Sequence, residues 1–274
     1  MRLQADFLGI LATSLRRDKF LVALPLGAVI LLSWLYVVTG VGLGMDPAAM
    51  SEPAFPPPKT TPVHPPMGWG AGYSLVIFVM WWLMMVAMML PSAVPVVLIY
   101  DRMRRIGSSS PSPTTRMGSS WRFVAGYLLV WGGFSLLATV LQAVYERAGL
   151  VHPMTMWSLN NTFTAILLVL AGLYQWTPLK EKCLQTCRSP GAFLARNWRR
   201  GQWGALRMGL HHGAYCLGCC WFLMGLLFAG GVMNLYWITG LAIFVLIEKV
   251  LPAGAGFGRL AGIGMVYGGI WLLV

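Results

Sequence analysis

Ala205–Met224 reads A-L-R-M-G-L-H-H-G-A-Y-C-L-G-C-C-W-F-L-M, an apolar run long enough to enter a membrane. It holds three of the chain's five cysteines, Cys216, Cys219 and Cys220, and two of its four histidines, His211 and His212. On a helix, His212, Cys216 and Cys219 fall within about 60° of one another, with Cys220 roughly 80° from His212. A single buried cysteine is an ordinary small hydrophobe. Three thiols and an imidazole on a shared face are a soft-metal donor set. One straight helix cannot wrap all four around an ion. A distortion near Gly213 or Gly218, or a ligand from another helix, is required.

The remaining composition agrees with a membrane setting. The chain has 274 residues, 57% hydrophobic and only 10% charged, with a mean hydropathy of +0.68. Soluble domains carry about 25% charged residues. The fold class expected is all-α: a single polytopic transmembrane bundle over residues 1–274. About seven helices are expected, centred on Phe20–Val41, Gly70–Ile99, Phe123–Val144, Pro153–Trp176, Met208–Ala229, Leu235–Ile247 and Leu260–Val274. The last two are short and Gly-rich, and the count falls to six if they form a re-entrant pair.

With the N-terminus inside, all but Lys59 and Arg147 of the 20 lysines and arginines fall on the inner side. That bias is a positive-inside signal. It predicts a multi-pass inner-membrane protein with a cytoplasmic N-terminus and an external C-terminus. The formal net charge of +12 then anchors loops at an anionic leaflet, and no nucleic-acid partner is needed. The run after Ser14-Leu15-Arg16-Arg17 lacks an Ala-x-Ala exit and reads as an uncleaved first helix. No cysteine lies on the outer face, where disulfides would persist, which argues against a disulfide framework.

Between the spans, residues 43–68 form a Pro-rich outer loop of extended, polyproline-like character. Residues 101–122 and 178–206 read as basic cytoplasmic loops. The second helix carries M-W-W-L-M-M-V-A-M-M-L-P (80–91). Met80, Met84 and Met88 recur on one stripe, with Met85 and Met89 on its neighbour. Thioethers suit Cu(I), and methionine is equally a gap-filler of cores. Pro91 and Pro95 should kink this helix. In the loop after the fourth span, Cys183 and Cys187 are four apart, so a helix or an irregular loop could bring them to one ion. Flanking lysine and arginine favour their thiolates. The adjacent Glu248 and Lys249 sit at a membrane edge, where such charges usually snorkel or pair. The Gly-rich stretches 253–258 and 261–269 follow no strand and precede no phosphate-binding lysine. They suit tight helix contact better than nucleotide binding. No paired carboxylates and no Gly-x-Ser-x-Gly elbow support hydrolase chemistry.

The ordered motifs M-W-W-L-M-M-V-A-M-M-L-P, Y-Q-W-T-P-L-K-E-K-C-L-Q-T-C-R-S-P (174–190), H-G-A-Y-C-L-G-C-C-W (212–221) and E-K-x-L-P-x-G (248–254) resemble a bacterial family of predicted metal-binding integral membrane proteins. Its members include a membrane copper chaperone encoded beside a tyrosinase-like polyphenol oxidase. The resemblance spans roughly Met80 to the C-terminus. It implies metal handling by His212, Cys216, Cys219 and Cys220, by Cys183 and Cys187, and by the stripe of Met80, Met84 and Met88. His211 is less clearly part of the pattern.

The function expected is a non-catalytic membrane protein that binds Cu(I) through Cys, His and Met for copper delivery or homeostasis, with zinc as a second candidate metal. The partners expected are the lipid bilayer and a copper-dependent enzyme or soluble copper carrier. Soft donors spread from the Met stripe through the fifth span to Cys183 and Cys187, a pattern that stepwise transfer across the membrane would need. The rival readings are a membrane thiol–disulfide oxidoreductase and a scaffold subunit whose Cys and Met merely pack.

Overall fold

The computed structural model describes residues 22–40, 51, 68–106, 113–153, 156–199, 201–251 and 254–274. The amphipathic N-terminal segment, most of the Pro-rich loop 43–68 and the Ser/Pro-rich stretch 107–112 lie outside the described residues. Among those described there is no strand, only an isolated bridge between Val151 and Ser158. The helices, in chain order, are α1 (Val22–Thr39), α2 (Ala71–Ile106), α3 (Pro113–Arg147), α4 (Asn161–Tyr174), α5 (Pro178–Arg188), α6 (Pro190–Asn197), α7 (Gln202–Gly225), α8 (Leu227–Gly230), α9 (Leu235–Val250) and α10 (Gly254–Trp271).

Four stretches are long and apolar enough to cross a membrane: Val22–Thr39, Ala71–Arg104, Gly118–Arg147 and Trp203–Gly230. These match the first, second, third and fifth expected spans. The fourth expected span is differently built. Its N-terminal part is non-helical at 151–153 and 156–160, and α4 then runs for only 14 residues, about 21 Å at 1.5 Å per residue. The helix breaks at Trp176-Thr177-Pro178 and resumes as α5 with a bend of 66°. Proline cannot continue α4 but is well suited to the first turn of a new helix, and the Thr177 hydroxyl caps that turn by accepting from the Lys180 N–H at 3.3 Å. The expected loop 178–206 is therefore largely helical. α9 has 16 residues and α10 has 18, beginning at Gly254 rather than Leu260. α2 runs unbroken through Pro91 and Pro95.

Small residues set the two closest helix crossings. α3 and α7 make the most extensive contact. A Cβ on Gly126 of α3 would stand 2.8 Å from the backbone nitrogen of Leu210, and one on Gly213 of α7 would stand 3.0 Å from Val130. Gly209, one turn before Gly213, lies against the backbone of Phe123. Gly209-x3-Gly213 thus acts as a small-residue ridge that lets two backbones meet. α4 and α10 pair similarly: a Cβ on Gly172 would lie 2.7 Å from the Gly262 carbonyl, and one on Gly269 would lie 2.9 Å from the Ala165 carbonyl. The Gly-rich C-terminal stretch is packing surface. α5 rests on α7, α9 touches α2, α5, α7 and α10, and the thiol-bearing face of α7 looks into the space these helices enclose.

Candidate functional site

α7 starts at Gly201, whose φ of 85° is a backbone conformation that favours glycine. From there the helix carries Cys216, Cys219 and Cys220 into the interior, where all three are buried. The Cys219 and Cys220 thiols turn back to the Cys216 carbonyl, at 3.1 and 2.9 Å. All five cysteines are free thiols.

Sulfur from neighbouring helices approaches these thiols. The Cys187 thiol of α5 is half-buried and lies near enough to Cys216 and Cys219 to interact with them electrostatically. The Cys220 sulfur meets the Met89 sulfur of α2 at 3.9 Å. Cys183, one turn before Cys187, packs its sulfur against Gly218, where a Cβ would come within 2.8 Å of it. The three thiols of α7 and the Met89 thioether of α2 therefore share one buried cluster, and Cys183 and Cys187 of α5 border it. Met80, Met84 and Met88 are buried as well, at 1%, 0% and 3% exposure. The thioether brought against a thiol is Met89, on the adjacent stripe.

Cys216 is the hub. Its sulfur is 3.0 Å from the Tyr127 hydroxyl of α3 and accepts from the Lys249 ammonium of α9 at 2.9 Å. Lys249 also donates to the Ser92 hydroxyl at 3.1 Å. Ser92 and Tyr127 both donate to the Met89 carbonyl, at 2.8 and 3.0 Å. This places a phenol and an ammonium on one thiol, with the Ser92 hydroxyl holding the ammonium beside the proline-containing part of α2. Sequence reasoning put Glu248 and Lys249 at a membrane edge and missed the contact of Lys249 with Cys216. The only sequence signal was the charge itself, a lysine that ends an apolar helix. Tyr127 and Ser92 carried no signal.

His212 lies one turn before Cys216 on α7 and is 3% exposed. The rings of Phe193, Tyr127 and Phe123 surround it at centroid distances of 5.1, 6.0 and 6.2 Å. Its Nδ1 has no hydrogen-bond partner, which is costly for a buried polar atom. His211 points elsewhere: it is exposed and stacks on Tyr215 at 5.0 Å.

The other half of the Glu248-Lys249 pair faces away from the thiols. Glu248 takes both hydrogen bonds of an ion pair with Lys180 of α5, at 2.7 and 2.8 Å, with both side chains 3% exposed. Gln175, at the end of α4, accepts from the same ammonium. A second buried polar chain lies towards the other end of α2 and α3. Trp81 donates to Gln142 at 2.8 Å, Gln142 to Glu146 at 2.9 Å, and Trp69 to Glu146 at 3.0 Å.

The donor set is soft: thiols, a thioether and an imidazole, which suits Cu(I) better than hard divalent ions. Among the described residues, no three His, Cys, Asp or Glu side chains are already arranged as a metal-holding group. The thiols are instead engaged by Lys249, Tyr127 and a backbone carbonyl. No curated protein and no solved structure matches the chain. The family model described as PpoB2, copper chaperone, matches residues 78–272, a stretch that begins just before the Met-rich part of α2 and takes in every thiol of the cluster. The chain belongs to the PpoB2 copper chaperone family.

Proposed function

We propose that this chain is a multi-pass inner-membrane protein that binds Cu(I) at the thiol cluster and hands it to a copper-dependent enzyme or a soluble copper carrier. Copper is its cargo, and the chain acts as a carrier with no catalytic role. The observation that carries the reading is the meeting of the buried Cys216, Cys219 and Cys220 thiols with the Met89 thioether from a second helix, bordered by Cys183 and Cys187 from a third. Packing alone gives no reason for sulfur from three helices to meet around one buried point. Cu(I) accepts two or three soft ligands, so Cys216 and Cys219 are the proposed core pair, with Cys187 or Cys220 as a third and His212, Cys183, Met80, Met84 and Met88 as further donors along a path. Engagement of Cys216 by Lys249 and Tyr127 fits a transfer site, which must release its ion as well as hold it. Zinc is the second candidate metal, since a Cys3His set suits it.

Elemental analysis of the detergent-purified chain, prepared with reductant, tests the assignment. Wild type should carry close to one copper per chain after Cu(I) loading. Cys216→Ser with Cys219→Ser should carry almost none while expression persists. Unchanged stoichiometry in that variant would sink the assignment. The approach of Cys187 to Cys216 and Cys219 also favours a second reading, thiol–disulfide exchange between α5 and α7. A mixed disulfide with a substrate protein, trapped in Cys219→Ser, would support that reading over copper carriage.

A further inference from the structure

We infer that Lys249 is the fixed counter-cation of the thiol cluster, and that its charge favours a monovalent ion held by two thiolates. The inference rests on the Cu(I) reading above and adds a specificity determinant to it. The ammonium lies 2.9 Å from the Cys216 sulfur and 3.1 Å from the Ser92 hydroxyl, and Lys249 is 8% exposed. Among the described residues, no carboxylate pairs with it. Its neighbour Glu248 is turned to Lys180 and neutralised there. Glu181 pairs with Arg259 on the exposed side of α5. The site therefore contains one positive charge that no carboxylate balances.

A buried site is most favourable when its net charge is near zero, because uncompensated charge in a low-dielectric interior is heavily penalised. Two thiolates and one Cu(I) carry a single negative charge between them. One ammonium cancels it. The same two thiolates already neutralise Zn(II), and the ammonium then leaves the site positive. Zn(II) needs a third thiolate to reach balance where Cu(I) needs two. Placing the lysine on α9, outside the proposed ligand helices, keeps its charge fixed while the thiols exchange the ion. A lysine suits this role better than a carboxylate-paired arginine. Its ammonium is a compact point charge that can lie beside a sulfur without covering it.

The test is competition titration of the full-length detergent-purified chain against a Cu(I) chelator and, separately, a Zn(II) chelator, for wild type, Lys249→Arg and Lys249→Met. Lys249→Arg keeps the charge and should bind Cu(I) within about threefold of wild type. Lys249→Met should lose tenfold or more in Cu(I) affinity, while Zn(II) affinity stays within threefold or rises. If Lys249→Met does not yield folded protein, Lys249→Gln, which keeps a donor for Ser92, takes its place with the same expectation. Cu(I) affinity that is unchanged or tighter without the charge overturns the inference, since the ammonium would then be a bystander or a competitor. Equal loss of both metals also overturns it, because that is the mark of a structural role. Failure of wild type to bind Cu(I) at all is a different result: it removes the copper reading itself.

Discussion

Lys180 and Glu248 form an ion pair at 2.7 Å with both side chains 3% exposed, joining the first turn of α5 to the end of α9. α5 carries Cys183 and Cys187, so this pair ties the thiol-bearing α5 to the helix that carries Lys249. Removing one partner strands a buried charge, which typically costs about 3–5 kcal/mol, whereas replacing both by apolar residues is often close to neutral. Lys180→Met and Glu248→Gln should each lower thermal stability in detergent markedly. The double change Lys180→Met with Glu248→Met should recover much of it. A double variant destabilised by the sum of the two single changes would show that the pair is uncoupled.

The α3–α7 crossing should tolerate no side chain at Gly126. A Cβ there meets the backbone of α7 at 2.8 Å, and backbone cannot yield as a flexible side chain can. Gly126→Val should cost about 3 kcal/mol or more and is expected to abolish accumulation of folded protein. Gly133→Val, where a Cβ meets nothing within 4 Å, should leave expression near wild type. Fluorescence-detected size-exclusion chromatography of the two variants reads the difference.

Met89 and its neighbours on the other stripe should separate by function. Met→Leu nearly conserves volume, and such swaps usually cost under about 1.5 kcal/mol. Met89→Leu removes the sulfur beside Cys220 and should weaken Cu(I) binding severalfold. Met84→Leu with Met88→Leu should leave that affinity near wild type and slow Cu(I) movement in proteoliposomes. Wild-type transfer rates in the latter variant would reduce Met84 and Met88 to core packing.

Much of this was legible in the chain alone, because hydropathy over a long window reports directly on long apolar helices. Four of the expected spans coincide with helices long enough to cross a membrane, and Cys216, Cys219 and Cys220 do share one buried face. What periodicity cannot report is which helix faces which. Met88 and Met89 differ by one residue, and only the tertiary placement of α2 beside α7 decides which sulfur meets Cys220. Tyr127 reaches Cys216 across 89 positions of sequence, a separation that no local pattern encodes. The loop 178–206 was misleading for another reason. Its charge suggested solvent, yet Lys180 is satisfied inside the protein by Glu248, 68 positions away.

The proposed orientation makes its own prediction. With α1 entering from the cytoplasm and seven crossings in all, reporter fusions after Val274 and within residues 43–68 should both read external. A cytoplasmic reading at the C-terminus would remove one of the two short last spans, α9 or α10, from this count.

Glu248 and Lys249 are consecutive residues, yet one closes on α5 and the other on Cys216 of α7. Consecutive positions on a helix are separated by about 100°, so the division of labour depends on the phase of α9. That phase is counted from Asn234, whose side chain starts the helix by accepting from the Trp237 N–H at 3.2 Å. Inserting or deleting one residue between Asn234 and Glu248 would swing both charges away from their partners at once, whatever residue was chosen. Along this stretch, evolution can exchange side chains freely on the exposed face but has no freedom in length. α9 is therefore expected to be a gap-free block in any set of relatives, while the segments on either side vary in size.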